Sequence, residues 1–214
     1  MLGLPVNTVV GRVIPKNSFD KQLSKQERDL LTKNVEGIRW EHRLSTDTTG
    51  LEPCDLEEIQ VLSIALRTQD KLNALLDAID TVMPYSILFV VTNTEGMVKY
   101  RFSAKHRNVK DENVCVIDDV FETEWLTAGS ELAKINIIGS LNTVALSICK
   151  HICSEDSPID NMDDYVARHK EKASLLRQIE QIKAQMSKCK QFNKKVELNR
   201  QLNALLGLFA NMVK

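Results

Sequence analysis

No apolar run in the 214 residues approaches the roughly 18–20 needed to span a bilayer; the longest, Ile87 to Val91, has the length of a buried strand. No secretory h-region precedes the five cysteines, Cys54, Cys115, Cys149, Cys153 and Cys189, which are odd in number and irregularly spaced. The expectation is therefore a cytoplasmic protein with reduced thiols and no membrane contact, not a disulfide framework. A phosphate-cradling glycine loop is missing as well: Gly50, Gly96, Gly129 and Gly139 stand isolated. Cys149, His151 and Cys153 lack a second ligand pair, and on a helix His151 points about 200° away from Cys149. Two buried thiols and a surface histidine are the expected outcome, with no metal and no cofactor. His42 and His106 lie on strands or loops without an acid–nucleophile arrangement. Catalysis by a familiar motif has no support, and the expectation leans away from an enzyme.

A second absence is local. From Asp164 to Lys214 there is no proline, and no glycine before Gly207. Lys, Gln, Leu, Glu and Asn fill the stretch instead, so it reads as helix and is too long for an ordinary core helix. It holds eleven Lys and Arg against four Asp and Glu, a net +7, whereas the remainder carries 17 basic and 25 acidic residues, a net −8. An acidic body with a basic arm points to an anionic partner for the arm or to contact between arm and body. One apolar stripe runs through Leu175, Leu176, Ile179, Ile182, Met186 and Cys189, another through Val196, Leu202, Leu205, Leu206 and Phe209. They fall out of register across Lys190 to Lys195, which predicts two antiparallel helices turning near Gln191 to Lys194. One continuous helix is the alternative, since no helix breaker marks the turn.

What remains is ordinary in composition, 43 % apolar and 27 % charged, and long enough for one domain with an appendage. Met1 to Phe19 carries Pro5 and Pro15 and reads as an extended arm over the body. Ser24 and Glu27 have capping-box spacing and open a helix with Leu30, Leu31, Val35 and Ile38 inward, stopping near Gly37. Ile38 to Leu44 alternates as a half-buried strand. Glu58 to Arg67 is another, with Ile59, Val61, Ile64 and Leu66 inward and a slip near Ser63 that predicts a bulge or a change of burial. A helix over Asp70 to Val82 stops at Pro84. A hairpin follows, turning at Thr94-Glu95-Gly96 and returning to Phe102. Val114 to Phe121 is one more strand, and Ile137 to Cys153 a helix. The predicted architecture is α+β: about five mostly antiparallel strands covered by helices in a body of residues 1–153, an acidic linker at 154–163 and the helical hairpin at 164–214.

Two constellations are candidates for function. Glu58 and Gln60, two apart on one strand, share a face, and with Asp55 or Glu41 they form a candidate for the metal site of a nuclease. The ordinary reading is the polar face of a half-buried strand, and the lysine expected of such a site is missing. Lys183, Lys188, Lys190, Lys194, Lys195 and Arg200 gather near the predicted turn, where they could neutralise phosphates or meet a protein partner. A solvated helix face is the commoner outcome for such residues. Leu198, Leu202 and Leu205 equally suit a partner helix or a second copy of the chain.

Six stretches in order, GLP at Gly3–Pro5, IPK at Ile14–Lys16, IRWEHRL at Ile38–Leu44, EIQV at Glu58–Val61, TEW at Thr123–Trp125 and KQFNKKVELN at Lys190–Asn199, carry a resemblance. The chain resembles the bacterial domain-of-unknown-function family 4391 nearly end to end, although the segment after Trp125 is only loosely like the family pattern. The resemblance implies a small partner of helicases and DNA methyltransferases in antiphage defence or restriction-type gene clusters, and the expected protein partner is a helicase, methyltransferase or nuclease of the same system. It assigns no catalytic residues. The expectation is thus a non-catalytic accessory subunit that docks a protein partner or DNA through its C-terminal helices. The alternatives are the nuclease at Glu58 and Gln60 and a homo-oligomerisation module.

Overall fold

The computed structural model describes residues 2–108, 110, 115–127, 129–130, 132, 134–155 and 157–213. They fall into two compact units, residues 1–162 and 163–214.

The first unit is built on a six-stranded sheet in sequential order, comprising β1 (Val9–Val13), β2 (Val35–Ser45), β3 (Glu58–Leu66), β4 (Ser86–Thr92), β5 (Val98–Arg107) and β6 (Cys115–Glu122). All neighbouring pairs are antiparallel except β3 and β4. The fold is α+β and mostly antiparallel, as expected, but with six strands rather than five. The additional strand comes from the proline-flanked arm, which joins the sheet at its edge as β1. An edge strand of five residues buries almost no side-chain face, so it leaves no alternation to read. Gly11, at φ +63°, accommodates a register shift between Val9 and Arg12 there.

Helix α1 (Lys25–Asn34) opens with the expected capping box: the Ser24 amide donates to Glu27 Oε2 at 2.7 Å and the Glu27 amide to Ser24 Oγ at 3.4 Å. It ends three residues before Gly37, because Asn34 is taken up in tertiary bonds. Its carbonyl accepts from the Arg67 amide at 2.7 Å and its side chain from the Thr68 hydroxyl at 2.9 Å. Val35 and Ile38 are buried, but as strand residues. A short turn of helix, α2 (Thr46–Thr49), caps the β2–β3 connection. The slip near Ser63 resolves as a change of burial, since β3 pairs with β4 without interruption and is buried on both faces from Glu58 to Leu62. A register shift lies opposite, in β2 between Trp40 and His42.

The parallel step from β3 to β4 is made by α3 (Leu72–Val82). Leu72, Leu75, Leu76 and Ile79 of α3 pack with Leu31 of α1, Ile38, Leu62 and Ile64, and with Ile87, Phe89 and Val91 of β4. Leu88, between those β4 residues, points the opposite way and pairs with Phe102 of β5. That is the side on which α4 (Leu141–Cys153) packs, against β3, β5 and β6. Helix α4 starts four residues later than Ile137 because Gly139 takes a left-handed conformation and the Ser140 side chain caps the Thr143 amide. The β4–β5 turn falls where the sequence puts it, with Asn93 Oδ1 accepting from the amides of Glu95 and Met97. The returning strand runs five residues past Phe102, to Arg107. Val114, the expected start of the last strand, lies outside the described residues.

The second unit is a pair of helices, α5 (Met162–Lys188) and α6 (Phe192–Val213). They run antiparallel: the Arg168 guanidinium near the start of α5 donates to the Met212 carbonyl near the end of α6. Residues 189–191 make the turn, slightly ahead of the expected position. Leu175, Ile179 and Leu198 are buried, while Leu176, Val196 and Leu206 are exposed in spite of their places in the predicted stripes. Leu198, Leu202, Leu205 and Phe209 keep one 3.6-residue face; Val196, two residues before Leu198, falls on the other side. No helix among the described residues is long and apolar enough to cross a membrane.

Candidate functional site

At the start of β3 the structure brings Glu58 and Gln60 together. Both are buried, and Gln60 Nε2 donates to Glu58 Oε1 at 2.7 Å. Arg43, opposite Gln60 on β2, donates from Nε to Glu58 Oε2 at 2.5 Å. Glu58's hydrogen bond and negative charge, in that order, hold the Arg43 guanidinium above its ordinary range. Each carboxylate oxygen therefore has a partner, and the cluster is a neutralised ion pair at a strand end. Glu41 is not part of it. Its Oε1 accepts from Ser63 Oγ at 2.6 Å, on the face of β3 opposite to Gln60. Asp55 is exposed in the connection before β3. Among the described residues no group of three or more His, Cys, Asp or Glu is placed to hold a metal ion.

His42, next to the β2 irregularity, is half-buried with Nδ1 2.9 Å from Thr8 Oγ1. The Thr8 hydroxyl sits 2.6 Å from the Pro5 carbonyl, to which it donates, so the His42 N–H donates to Thr8. Burial lowers the imidazole pKa below its usual 6.5, with the Glu41 charge opposing. The folded state thus takes up this proton at lower pH than the unfolded chain. The His42 contribution to stability is intact above about pH 6.5 and declines as pH falls below it. Urea midpoints of wild type and His42→Gln should run parallel above pH 7, with wild type losing ground below 6.5; a constant difference would disprove the assignment.

A larger polar feature had no announcement in the sequence. Lys99, Arg101, Ser103 and Lys105 line the α3 side of β5. Lys99 pairs with Glu122 at 2.9 Å, Arg101 with Asp77, and Lys105 with Asp80 at 2.7 Å. The Lys105 and Asp80 side chains are only 2 % and 0 % exposed. The Lys105 ammonium also donates to the carbonyls of Asp80 and Met83, at 2.8 and 2.9 Å, using all three of its protons at the C-terminal end of α3. The available signal was three cations at even spacing on one strand face, a pattern that an exposed strand shows equally.

On α4, Cys149 is buried, which pushes its thiol pKa well up, and Cys153 is half-buried. His151 Nδ1 lies 2.7 Å from the Ser147 carbonyl, within its own helix. An open cleft of about 900 Å³ borders this helix, lined by Glu122, Glu124, Ser147, Lys150, His151 and Cys153 among others.

In the helix pair, Lys183, Lys188, Lys190, Lys194, Lys195 and Arg200 are all exposed. With a rise of 1.5 Å per residue they lie within about 14 Å of the turn along the helix axes. Among the described residues none of the six is ion-paired.

Fold and site together define an α+β protein whose buried Glu58, Asp80 and Arg101 are ion-paired within the body and whose second unit is a basic helix pair. The chain belongs to the family described as Domain of unknown function (DUF4391), whose model matches residues 2–206. Comparison with curated proteins and with solved structures returned no match.

Proposed function

We propose that this protein is a non-catalytic adapter, with the sheet body as scaffold and the C-terminal helix pair as the element that docks a protein partner. The setting we infer is a DNA-acting bacterial defence or restriction-type complex, in line with the resemblance noted above. The observation that carries this reading is the outer surface of the helix pair, where Leu176, Phe192, Val196, Leu206 and Leu208 are exposed. Large apolar side chains left exposed on one unit among many charged ones are a feature of protein-binding surfaces. Co-purification from the native host should recover a stable complex. A chain lacking residues 164–214, with its body's unfolding transition intact, should lose that complex.

One observation favours a second reading, a metal-dependent nuclease: Glu58 and Gln60 touch on one face of β3. In that reading a metal has to displace Arg43 from Glu58. Mg²⁺-dependent DNA cleavage that survives removal of the helix pair and disappears in Glu58→Ala would establish the nuclease and sink the adapter.

A further inference from the structure

We propose that the turn of the helix pair recognises an acidic protein segment with an apolar centre, anchored on Phe192 and Val196. The inference rests on the adapter reading and specifies the chemistry of the partner. Between residues 183 and 200 there are six basic side chains and one acidic one, Glu197, a net +5. All six cations are exposed, Lys190 within the three-residue turn and the other five on both sides of it. Phe192 is 78 % exposed and Val196 54 %. Four residues apart at the start of α6, they share one face of the helix. Leu198, Leu202 and Leu205 follow the other face, so the pair does not need Phe192 or Val196 for its own packing.

Charge and apolar surface at one place select among anionic partners. Duplex DNA would neutralise the lysines but would set phosphates against Phe192 and Val196, leaving that apolar surface without a counterpart. A single strand could stack a base on Phe192, yet a valine offers no stacking surface. A segment carrying Asp and Glu around an aliphatic or aromatic cluster satisfies both features. Its carboxylates steer association and meet the cations at the rim, and its apolar residues cover a central aromatic anchor.

The test places a photo-crosslinking benzoylphenylalanine at position 192 of the full chain in its native host and maps the adduct by mass spectrometry. The expected adduct is a protein segment with more Asp and Glu than Lys and Arg, containing aliphatic or aromatic residues. With that partner purified, Phe192→Ala/Val196→Ala and Lys194→Glu/Lys195→Glu should each weaken binding about tenfold or more. Because these positions are exposed, unfolding midpoints should not move. The lysine variant should act mainly on the association rate and lose its effect at high salt. An adduct to nucleic acid, to lipid, to a second copy or to a neutral or basic segment overturns the proposal. So does an intact complex with no adduct, which leaves the adapter reading standing. Absence of any complex overturns both.

Discussion

Lys105→Met is expected to destabilise the body by about 3–5 kcal/mol, the range for breaking one side of a buried ion pair. Met keeps most of the length of the side chain, so the loss reports charge and hydrogen bonding rather than volume. Three acceptors lose their donor together: Asp80 Oδ1 and the carbonyls of Asp80 and Met83. Asp80 is fully buried and its Oδ2 has no hydrogen-bond partner among the described residues, so an uncompensated carboxylate would sit under the end of α3. Trp40 and Trp125 both lie in residues 1–162, so tryptophan fluorescence during urea unfolding isolates the body from the helix pair. A loss below about 1 kcal/mol would show that the pair is not desolvated as described. The double variant Asp80→Asn/Lys105→Met should recover part of the loss, because the two side chains are coupled and their effects are not additive.

Phe89→Ala should cost about 3–5 kcal/mol by the same fluorescence measurement, the range for removing a buried aromatic ring. Phe89 is fully buried on β4, between the parallel neighbour β3 and the antiparallel neighbour β5. Its ring packs into the cluster formed with α1 and α3. Phe89→Leu refills much of the space and should lose less. Equal losses for Ala and Leu would mean that ring geometry, not cavity volume, governs the site.

The two residues differ in how far the sequence announces them. Ile87 to Val91 is a continuous apolar run bounded by Pro84 and by a Thr-Glu-Gly turn, and a buried strand is the only element of that length it suits. Lys105 lies three residues past Phe102, beyond the expected end of the strand, in a stretch that reads as charged and exposed. Nothing local distinguishes a lysine that will lie under a helix C-terminus from one in water. The difference is made by Asp80 and Met83, more than twenty residues earlier. The same holds for Glu58. Its shared face with Gln60 follows from the two-residue period of a strand, but the pairing with Arg43 follows from the β2–β3 register, which contains an irregularity that the alternation does not show.

The capping box at Ser24, the turn at Asn93 to Gly96, the crossover helix and the break in the C-terminal stripe are local signals, carried by side chains within a few residues of the backbone they shape. The sequence by itself determined those elements, the α+β class and the charge asymmetry between body and tail. Tertiary structure alone decided the sixth strand, because an edge strand takes its partner from a distant segment and buries too little to be patterned. It also decided which charges are neutralised inside the body and which apolar residues of the tail stay in water. Burial belongs to the packed chain, and a stripe of leucines and valines has an inside only once a second helix lies against it.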